Sequence, residues 1–396
     1  MMKYPDVINR DTFEMEKLAL ARKYNKPADG HAPGLTGEKA KKYIEAGIST
    51  DHECFTMEEA LDKIKYGMKI QIREGSAARN FDALIGLMKD YPEYVLFCSD
   101  DKHPDELVEG HINKMIIRAI RKGFDPLQVL QSVILNPIRH YNLDVGTLRP
   151  GEPADMIVVD TLKDFNVLQT YINGERVAEN GKSRIHPVKV EMPNIFNAKK
   201  LRVEQLALQP AGEKMKVITA FNGELITGTE HVTPKVSGGH AISDPNRDIL
   251  KIVVLNRYQE SKPAIAFIRN FGLKTGAIAS SVAHDSHNIV AVGVEDEHIT
   301  KAINLIIEQK GGISFASDRN SGILPLPVAG LMSADDGYRV AHQYKRMDEE
   351  AKALGSTLEA PFMTLSFMAL LVIPELKLSD KGLFDGKTFS FTPLFI

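Results

Sequence analysis

Residues 48–64 have the sequence Ile-Ser-Thr-Asp-His-Glu-Cys-Phe-Thr-Met-Glu-Glu-Ala-Leu-Asp-Lys-Ile. The first three residues form a short strand-like run that ends in a polar turn. Apolar residues then recur at three-to-four spacing, Thr56 can cap this helix at its start, and Glu59 closes a capping box. A strand followed by an amphipathic helix is one βα unit, and such units predict a parallel sheet.

Similar units extend from Asp11 to about Asn136, with further strands expected around Lys69–Ile72 and Tyr94–Cys98. From Leu143 to about Ile185 the sequence contains short β-strand patterns separated by glycine-containing turns. Asn173-Gly174 predicts a hairpin turn in this segment. A mixed α/β segment then runs from about Arg202 to the end. Its expected elements are strands at Lys216–Ile218, Ile249–Leu255, Ala264–Ile268 and Ile289–Val294 and a helix near His298–Gln309.

Composition excludes several classes of protein. The 396 residues are enough for two or three domains, and 43% hydrophobic with 26% charged residues is typical of globular chains. A net charge of −3 does not favour nucleic acid as a partner. The longest apolar run, Phe362–Ile373, is too short for a membrane span. Only two cysteines, Cys54 and Cys98, favour a reducing cytoplasm over a disulfide framework.

Ionisable residues follow successive strands of the first segment. His31, His52 and Asp100 each belong to a different βα unit. In a parallel α/β barrel the C-terminal ends of the strands converge on one mouth, so loops after successive strands build one site. Two imidazoles and a carboxylate form a divalent-metal shell suited to Zn, Mn or Fe. The alternative is that these loop histidines are solvated or capping side chains.

Eight motifs carry a resemblance to a known family. Together they resemble the adenine deaminases, a family of the amidohydrolase superfamily, and they cover nearly the whole chain: Asp29–Pro33, Ser49–Glu53, Arg73–Ala77, Cys98–Asp101, Asn136–Arg139, Gly146–Asp155, Val236–His240 and Ser281–Asn288. The resemblance implies an α/β fold in three parts. These are the C-terminal half of an amidohydrolase-type (β/α)8 TIM barrel at 1–140, a β-sandwich segment at 141–190, and an adenine deaminase C-terminal domain at 191–396.

The start of the chain departs from the family pattern. Family members carry a His-x-His pair and a bridging carboxylate in the first half of the barrel, and no His-x-His occurs before His31. The opening residues Met1–Pro5 resemble those immediately after the bridging glutamate. A complete barrel takes ~250 residues. We therefore expect an N-terminally truncated chain, which associates with itself or with a missing N-terminal half.

The resemblance also implies roles for single residues. His31 and His52 are the expected ligands of a divalent metal, with Mn or Fe ahead of Zn although nitrogen and oxygen ligands serve all three. Asp100 is expected to touch metal and the attacking water and to pass its proton to the departing amine. Glu74 is the candidate for a ring nitrogen of the purine, unless it forms a simple ion pair with Arg73.

Five residues are expected to contact the substrate: Arg73, Ser76, His284, Asp285 and His287. The last three would close over the barrel mouth, and their alternative is a polar turn with capping side chains. The implied reaction is cytoplasmic, metal-dependent deamination of adenine to hypoxanthine and ammonia, in purine salvage or adenine catabolism. Two alternatives stay open: a catalytically silent fragment that needs a partner chain, and an amidohydrolase acting on a cyclic amide.

Overall fold

The chain divides into two compact units in the computed structural model, which describes Met1 and residues 3–396. The first unit comprises residues 1–102 and 109–189. The second comprises residues 103–108 and 190–396. The short segment 103–108 therefore groups with the second unit, although the residues before and after it group with the first.

The first unit is built on a parallel sheet of four strands in sequence order. The strands are β1 (Ala28–Gly30), β2 (Ile48–Asp51), β3 (Lys69–Arg73) and β4 (Val95–Cys98). The helices along this part of the chain are α1 (Tyr4–Ile8), α2 (Thr12–Lys23), α3 (Gly37–Glu45), α4 (Met57–Lys65), α5 (Phe81–Leu84), α6 (Pro104–Glu109), α7 (Ile112–Arg121), α8 (Pro126–Leu130) and α9 (Asn136–Tyr141). The predicted parallel α/β architecture is confirmed, with β2, β3 and β4 each within one residue of its expected bounds.

Helix α4 shows why the local sequence folds as it does. The Thr56 hydroxyl accepts the backbone N–H of Glu59 at 3.2 Å, as the capping pattern predicts. The Glu59 carboxylate accepts the N–H of Phe55 at 3.3 Å and not that of Thr56, so the Thr56 cap is present but the reciprocal bond of the predicted capping box is not. The apolar face of α4 packs on β3, and Ala60 and Ile64 are buried in one hydrophobic cluster with residues of β3 and β4: Ile70, Ile72, Val95 and Phe97. Each large side chain buried in this way contributes ~1.5–3 kcal/mol.

A small antiparallel sheet follows in the same unit. Its strands are β5 (Met156–Val159), β6 (Val167–Ile172), β7 (Glu175–Glu179) and β8 (Lys182–Ser183), paired in that order. Residues Asn173 and Gly174 join β6 to β7 with φ of +51° and +80°. A two-residue turn with positive φ at both positions matches the twist of a hairpin, and this explains the Asn-Gly pair. The predicted hairpin is confirmed.

The second unit contains a mixed sheet of eight strands. They are β9 (Met215–Ala220), β10 (Thr227–Val232), β13 (Ile249–Leu255), β14 (Ala264–Arg269), β15 (Ala277–Ser280), β16 (Ile289–Gly293), β17 (Gly312–Ala316) and β18 (Ser321–Pro325). Their order is β10-β9-β14-β13-β16-β15-β17-β18, and only the β9–β14 pair is parallel. Two smaller sheets pair β11 (Lys235–Ser237) with β12 (His240–Ile242), and β19 (Leu376–Ser379) with β20 (Gly382–Asp385) and β21 (Ser390–Phe391).

Three helices complete the core of the second unit. They are α10 (Asp296–Gln309), α11 (Gly337–Ala353) and α12 (Pro361–Phe367). Helices α10 and α12 both contact β15 and β16. All seven residues of β13 and all five of β16 are buried, as expected for central strands covered on both faces.

The longest apolar run of the sequence is part of this core. Residues 361–367 form α12, and every one of them is buried. In the part of the chain that the structure describes, none of the helices has both the length and the apolarity that crossing a bilayer requires.

A buried lysine in the second unit makes its stability depend on pH. Burial lowers the pKa of Lys377 from 10.5 to about 7, while its Nζ donates to the carbonyls of Leu225 at 2.6 Å and Phe367 at 3.1 Å. Between these two pKa values the unfolded chain binds a proton that the folded chain does not. The unfolding free energy is therefore expected to rise with pH in this window, by up to ~1.4 kcal/mol per pH unit.

Urea unfolding of Lys377→Met between pH 7 and pH 10 tests this expectation. The variant should lose most of the slope, and Lys381→Met, at an exposed position of the same hairpin, should keep it. Equal slopes in both variants would contradict the assignment of the slope to Lys377.

Candidate metal centre and active site

Polar side chains lie at the C-terminal ends of all four parallel strands of the first unit. His31 follows β1, His52 and Glu53 follow β2, Arg73 ends β3, and Asp100 lies two residues beyond β4. Because parallel strands present these ends at one edge of the sheet, residues from different strands, 20 to 69 positions apart in the sequence, come together.

The predicted trio His31, His52 and Asp100 is brought together, and Glu53 joins it. The Nδ1 of His31 lies 3.3 Å from the Nε2 of His52. The Oε1 of Glu53 is 3.4 Å from the first of these nitrogens and 3.3 Å from the second. The Oδ2 of Asp100 is 3.2 Å from the Nε2 of His52. Two ring nitrogens and two carboxylates thus face one small region.

The chemistry of this group fits a divalent cation. The ligand atoms of His31, His52 and Glu53 all lie within 4.8 Å of one another, and Glu53 is 1% exposed. The Nε2 of His31 is buried and has no hydrogen-bond partner among the described residues. Imidazole nitrogens combined with carboxylate oxygens suit Mn, Fe or Zn.

Electrostatics favour the protonation state that a cation requires at Glu53 and at His31, and act in the opposite direction at His52. Burial alone would raise the pKa of Glu53, but the hydrogen bond with His52 and the charge of Arg73 outweigh it and lower the pKa to about 2. Burial lowers the pKa of His31, so its ring is neutral at neutral pH. The pKa of His52 is raised, because the hydrogen bond and charge of Glu53 outweigh its burial. An ionised carboxylate and a neutral imidazole are the forms that bind metal.

Arg73 lies between the two carboxylates. Its NH1 donates to Glu53 and, at 2.8 Å, to the Oδ2 of Asp100, and the residue is 2% exposed. The guanidinium therefore fixes the orientation of both acids and compensates their charge. The predicted contact of Arg73 with substrate stays a prediction.

The loop after β3 packs directly on the loop that carries Asp100. The N–H of Ser76 donates to the carbonyl of Asp101 at 2.8 Å, and Ser76 is buried. A Cβ on Gly75 would lie 2.8–2.9 Å from the carbonyl oxygens of Ala77, Asp101 and Ser99, so only glycine fits. Asp100 has φ of +52°, a left-handed conformation that aspartate tolerates better than most residues. The predicted contact of Ser76 with substrate stays a prediction.

Glu74 forms its ion pair outside this group of residues. Its Oε2 lies 3.0 Å from the NH1 of Arg118 on α7. The alternative of a simple ion pair between Arg73 and Glu74 is wrong, because successive side chains along a strand point to opposite faces. The predicted role of Glu74 at a purine ring nitrogen stays a prediction.

His284, Asp285 and His287 belong to the turn before β16 in the second unit. The His284 ring stacks on Phe367 at 4.8 Å between centroids, and the backbone N–H of His284 donates to the carbonyl of Ser366 at 3.0 Å. The Nδ1 of His287 accepts the N–H of Ala283 at 3.3 Å, as expected for a capping side chain, and burial lowers its pKa. Their contact with substrate stays a prediction.

Sequence reasoning missed two residues of this region, Glu53 and Asn80. Glu53 directly follows His52, and its place at the end of a strand was a usable signal. Asn80 accepts the N–H of Arg73 at 2.7 Å and donates to the carbonyls of His52 at 3.2 Å and Cys54 at 3.0 Å. No pattern in the residues around Asn80 predicts this link between β3 and the loop after β2.

Two protein-family models match this chain, one in its N-terminal part and one in its C-terminal part. Residues 1–177 match the model of the amidohydrolase family, and residues 224–390 match that of the adenine deaminase C-terminal domain. The adenine deaminase of Methanosarcina mazei is 53% identical over 408 residues, covering 100% of this chain and 74% of the relative. Those of Salinibacter ruber (50% identical, 100% of this chain, 73% of the relative) and Borreliella burgdorferi (45%, 99% and 72%) are similar as well.

Proposed function

Because the chain belongs to the adenine deaminase family, we propose that it hydrolyses adenine to hypoxanthine and ammonia. The observation that carries this proposal is identity of about one residue in two along the entire chain, through the amidohydrolase part and the C-terminal domain alike. The enzyme is thus a hydrolase acting on a C–N bond of a cyclic amidine, and its small-molecule partner is a purine base.

His31, His52 and Glu53 are the residues that would hold a divalent cation, together with Asp100, whose contact with the cation stays a prediction. A bound cation would lower the pKa of a water molecule toward ~7 and so supply a nucleophile at neutral pH. Mn or Fe ahead of Zn stays the choice that the family resemblance implies, because imidazole nitrogens and carboxylate oxygens serve all three metals. The Sγ of Cys54 is not part of this donor set and faces Lys63, at 3.6 Å.

Asp100 is the carboxylate suited to move the proton. Its side chain is 26% exposed, whereas that of Glu53 is 1% exposed, so Asp100 is the acid that water and substrate reach. Arg73 at 2.8 Å holds its Oδ2 in place. In the proposed step, water oxygen bonds to C6 of adenine while Asp100 accepts one water proton.

The second half of the step breaks the bond between C6 and the amine. Asp100 returns its proton to the amine, which leaves as ammonia, while the second proton of the water ends on ring nitrogen N1 and the oxygen stays on C6. Glu74 is the group that we propose for N1, as its position in the sequence motif predicts. The carboxylate of Asp100 is thereby restored for the next turnover.

Product analysis separates the three candidate functions. Hypoxanthine and ammonia formed from adenine in equal amounts by the purified chain with Mn²⁺, with a cyclic amide such as dihydrouracil left intact, would support the proposed deamination. Ring opening of the amide with adenine untouched would favour the cyclic-amide alternative. A folded protein that binds adenine without converting it would favour the silent fragment.

Three further expectations remain proposals. The free thiols of Cys54 and Cys98 support a reducing, cytoplasmic location. We propose a homo-oligomer, and domain boundaries near residues 140 and 190. The second of these boundaries coincides with the start of the longer part of the second unit at residue 190.

A further inference from the structure

Three ionic side chains are buried beside the loops that carry the two histidines. Asp51 is the last residue of β2, and Glu59 and Lys63 lie one turn apart on α4. Their exposed fractions are 0%, 5% and 1%. Charged residues are almost never buried to this degree unless they are paired, so the reason for their burial lies in their contacts.

All three side chains hold the loop after β1, residues 31–34. The Nζ of Lys63 donates to the carbonyl of Ala32 at 2.8 Å. The N–H of Ala32 donates to the Oδ1 of Asp51 at 3.3 Å, and the N–H of Gly34 donates to the Oε1 of Glu59 at 2.8 Å. Three backbone groups next to His31 are therefore fixed by side chains from another βα unit.

Two of the same side chains also hold the loop after β2, residues 52–55. The Oδ1 of Asp51 accepts the N–H of Glu53 at 3.0 Å, and the Oε2 of Glu59 accepts the N–H of Phe55 at 3.3 Å. Lys63 donates to the carboxylates of Asp51 and, at 2.7 Å, Glu59. Each carboxylate thus bonds both loops at once, and the ammonium joins the two carboxylates.

This cluster is not a second metal centre. The ligand atoms of Asp51, Cys54 and Glu59 do lie close together, but the ammonium of Lys63 bonds to both carboxylates and contacts the sulfur. Burial would lower the pKa of Lys63, yet the neighbouring carboxylates of Asp51 and Glu59 outweigh burial and raise it. The lysine therefore remains a cation at neutral pH.

We propose that Lys63, Asp51 and Glu59 are positioning residues that set the spacing of the loops 31–34 and 52–55, so that His31, His52 and Glu53 can bind one cation. None of the three touches substrate in this account. The proposal rests on the proposed function for its purpose, but the contacts that carry it lie within the first unit and involve no ligand. Replacing side chains that orient metal ligands typically lowers metal affinity by ~10–100-fold.

The test uses the full chain with Glu59→Gln and Lys63→Met. Glu59→Gln keeps the shape of the side chain and removes its charge, and Lys63→Met removes the ammonium. The matched control is Cys54→Ala, because this fully buried side chain contacts Lys63 and Asp51 but no backbone group of either loop. Amide hydrogen exchange by mass spectrometry reports the two loops directly, and electron paramagnetic resonance of free Mn²⁺ reports cation affinity.

We expect exchange in loops 31–34 and 52–55 to quicken together by about 10-fold or more in both variants, with the β3–β4 strands unchanged. Mn²⁺ affinity should fall by ~10–100-fold, and the control should stay within about 2-fold of the wild type. If Lys63→Met does not fold, Glu59→Gln decides.

Unchanged exchange in either loop of folded Glu59→Gln, or unchanged Mn²⁺ affinity, would overturn the proposal. Faster exchange over the whole first unit would overturn it too, because that result signals general destabilisation. The variants could give the expected exchange and Mn²⁺ results while the wild-type protein forms no hypoxanthine. That outcome would overturn the proposed reaction and leave the positioning role intact.

Discussion

Replacing Asp100 by Asn is expected to lower kcat for adenine deamination by ~10²–10⁴-fold, the usual contribution of a positioned acid–base group. Asparagine has the shape of aspartate and can still accept from Arg73, which lies 2.8 Å from Oδ2. It cannot take a proton from water or return one to the amine. KM should change little, because the loss concerns the transition state.

Initial rates of ammonia release measure this effect, with Asp82→Asn as the control. Asp82 is an exposed carboxylate of the same unit that pairs with Arg118 and Lys122, and its variant should keep the wild-type kcat. Normal turnover by folded Asp100→Asn would remove Asp100 from the proton transfer. An equal loss in both variants would show that the effect is not specific to the site.

Arg73→Met is expected to cost ~3–5 kcal/mol of unfolding free energy, as breaking a buried ion pair by removing one partner does. The substitution leaves two carboxylates, Glu53 and Asp100, facing each other without their shared cation. Glu53 is the more affected of the two because its pKa is lowered to about 2 partly by Arg73.

Urea unfolding of the first unit at neutral pH tests this prediction. The control is Arg118→Met, which removes an arginine whose side chain is 37% exposed from pairs with Glu74 and Asp82. Pairs exposed to solvent contribute ~0–1 kcal/mol, so the control should lose at most that much. Losses of similar size in the two variants would contradict the special role of the buried pair.

Much of the fold follows from local sequence chemistry. The strand at residues 48–51, the Thr56 cap and the Asn173-Gly174 hairpin each depend on residues within a few positions of one another. Such features are determined by backbone preferences and short hydrogen bonds, and these can be recognised without knowing what packs nearby.

The site was predictable only in outline. His31, His52 and Asp100 could be expected to meet, because parallel strands deliver their C-terminal ends to one edge. The partners of these residues depend on packing between different βα units. Arg118 pairs with Glu74, 44 residues earlier in the sequence, and Lys63 donates to the carbonyl of Ala32, 31 residues earlier. Such contacts cannot be predicted from the spacing of the residues in the sequence.

The most direct test of this account is whether adenine deamination depends on a cation held by His31, His52 and Glu53. Wild-type protein stripped with a chelator should lose deamination and regain it with Mn²⁺, forming one hypoxanthine per ammonia. Glu53→Gln should not regain it at the same Mn²⁺ concentration. Deamination that survives chelation, or full recovery by Glu53→Gln, would contradict the account.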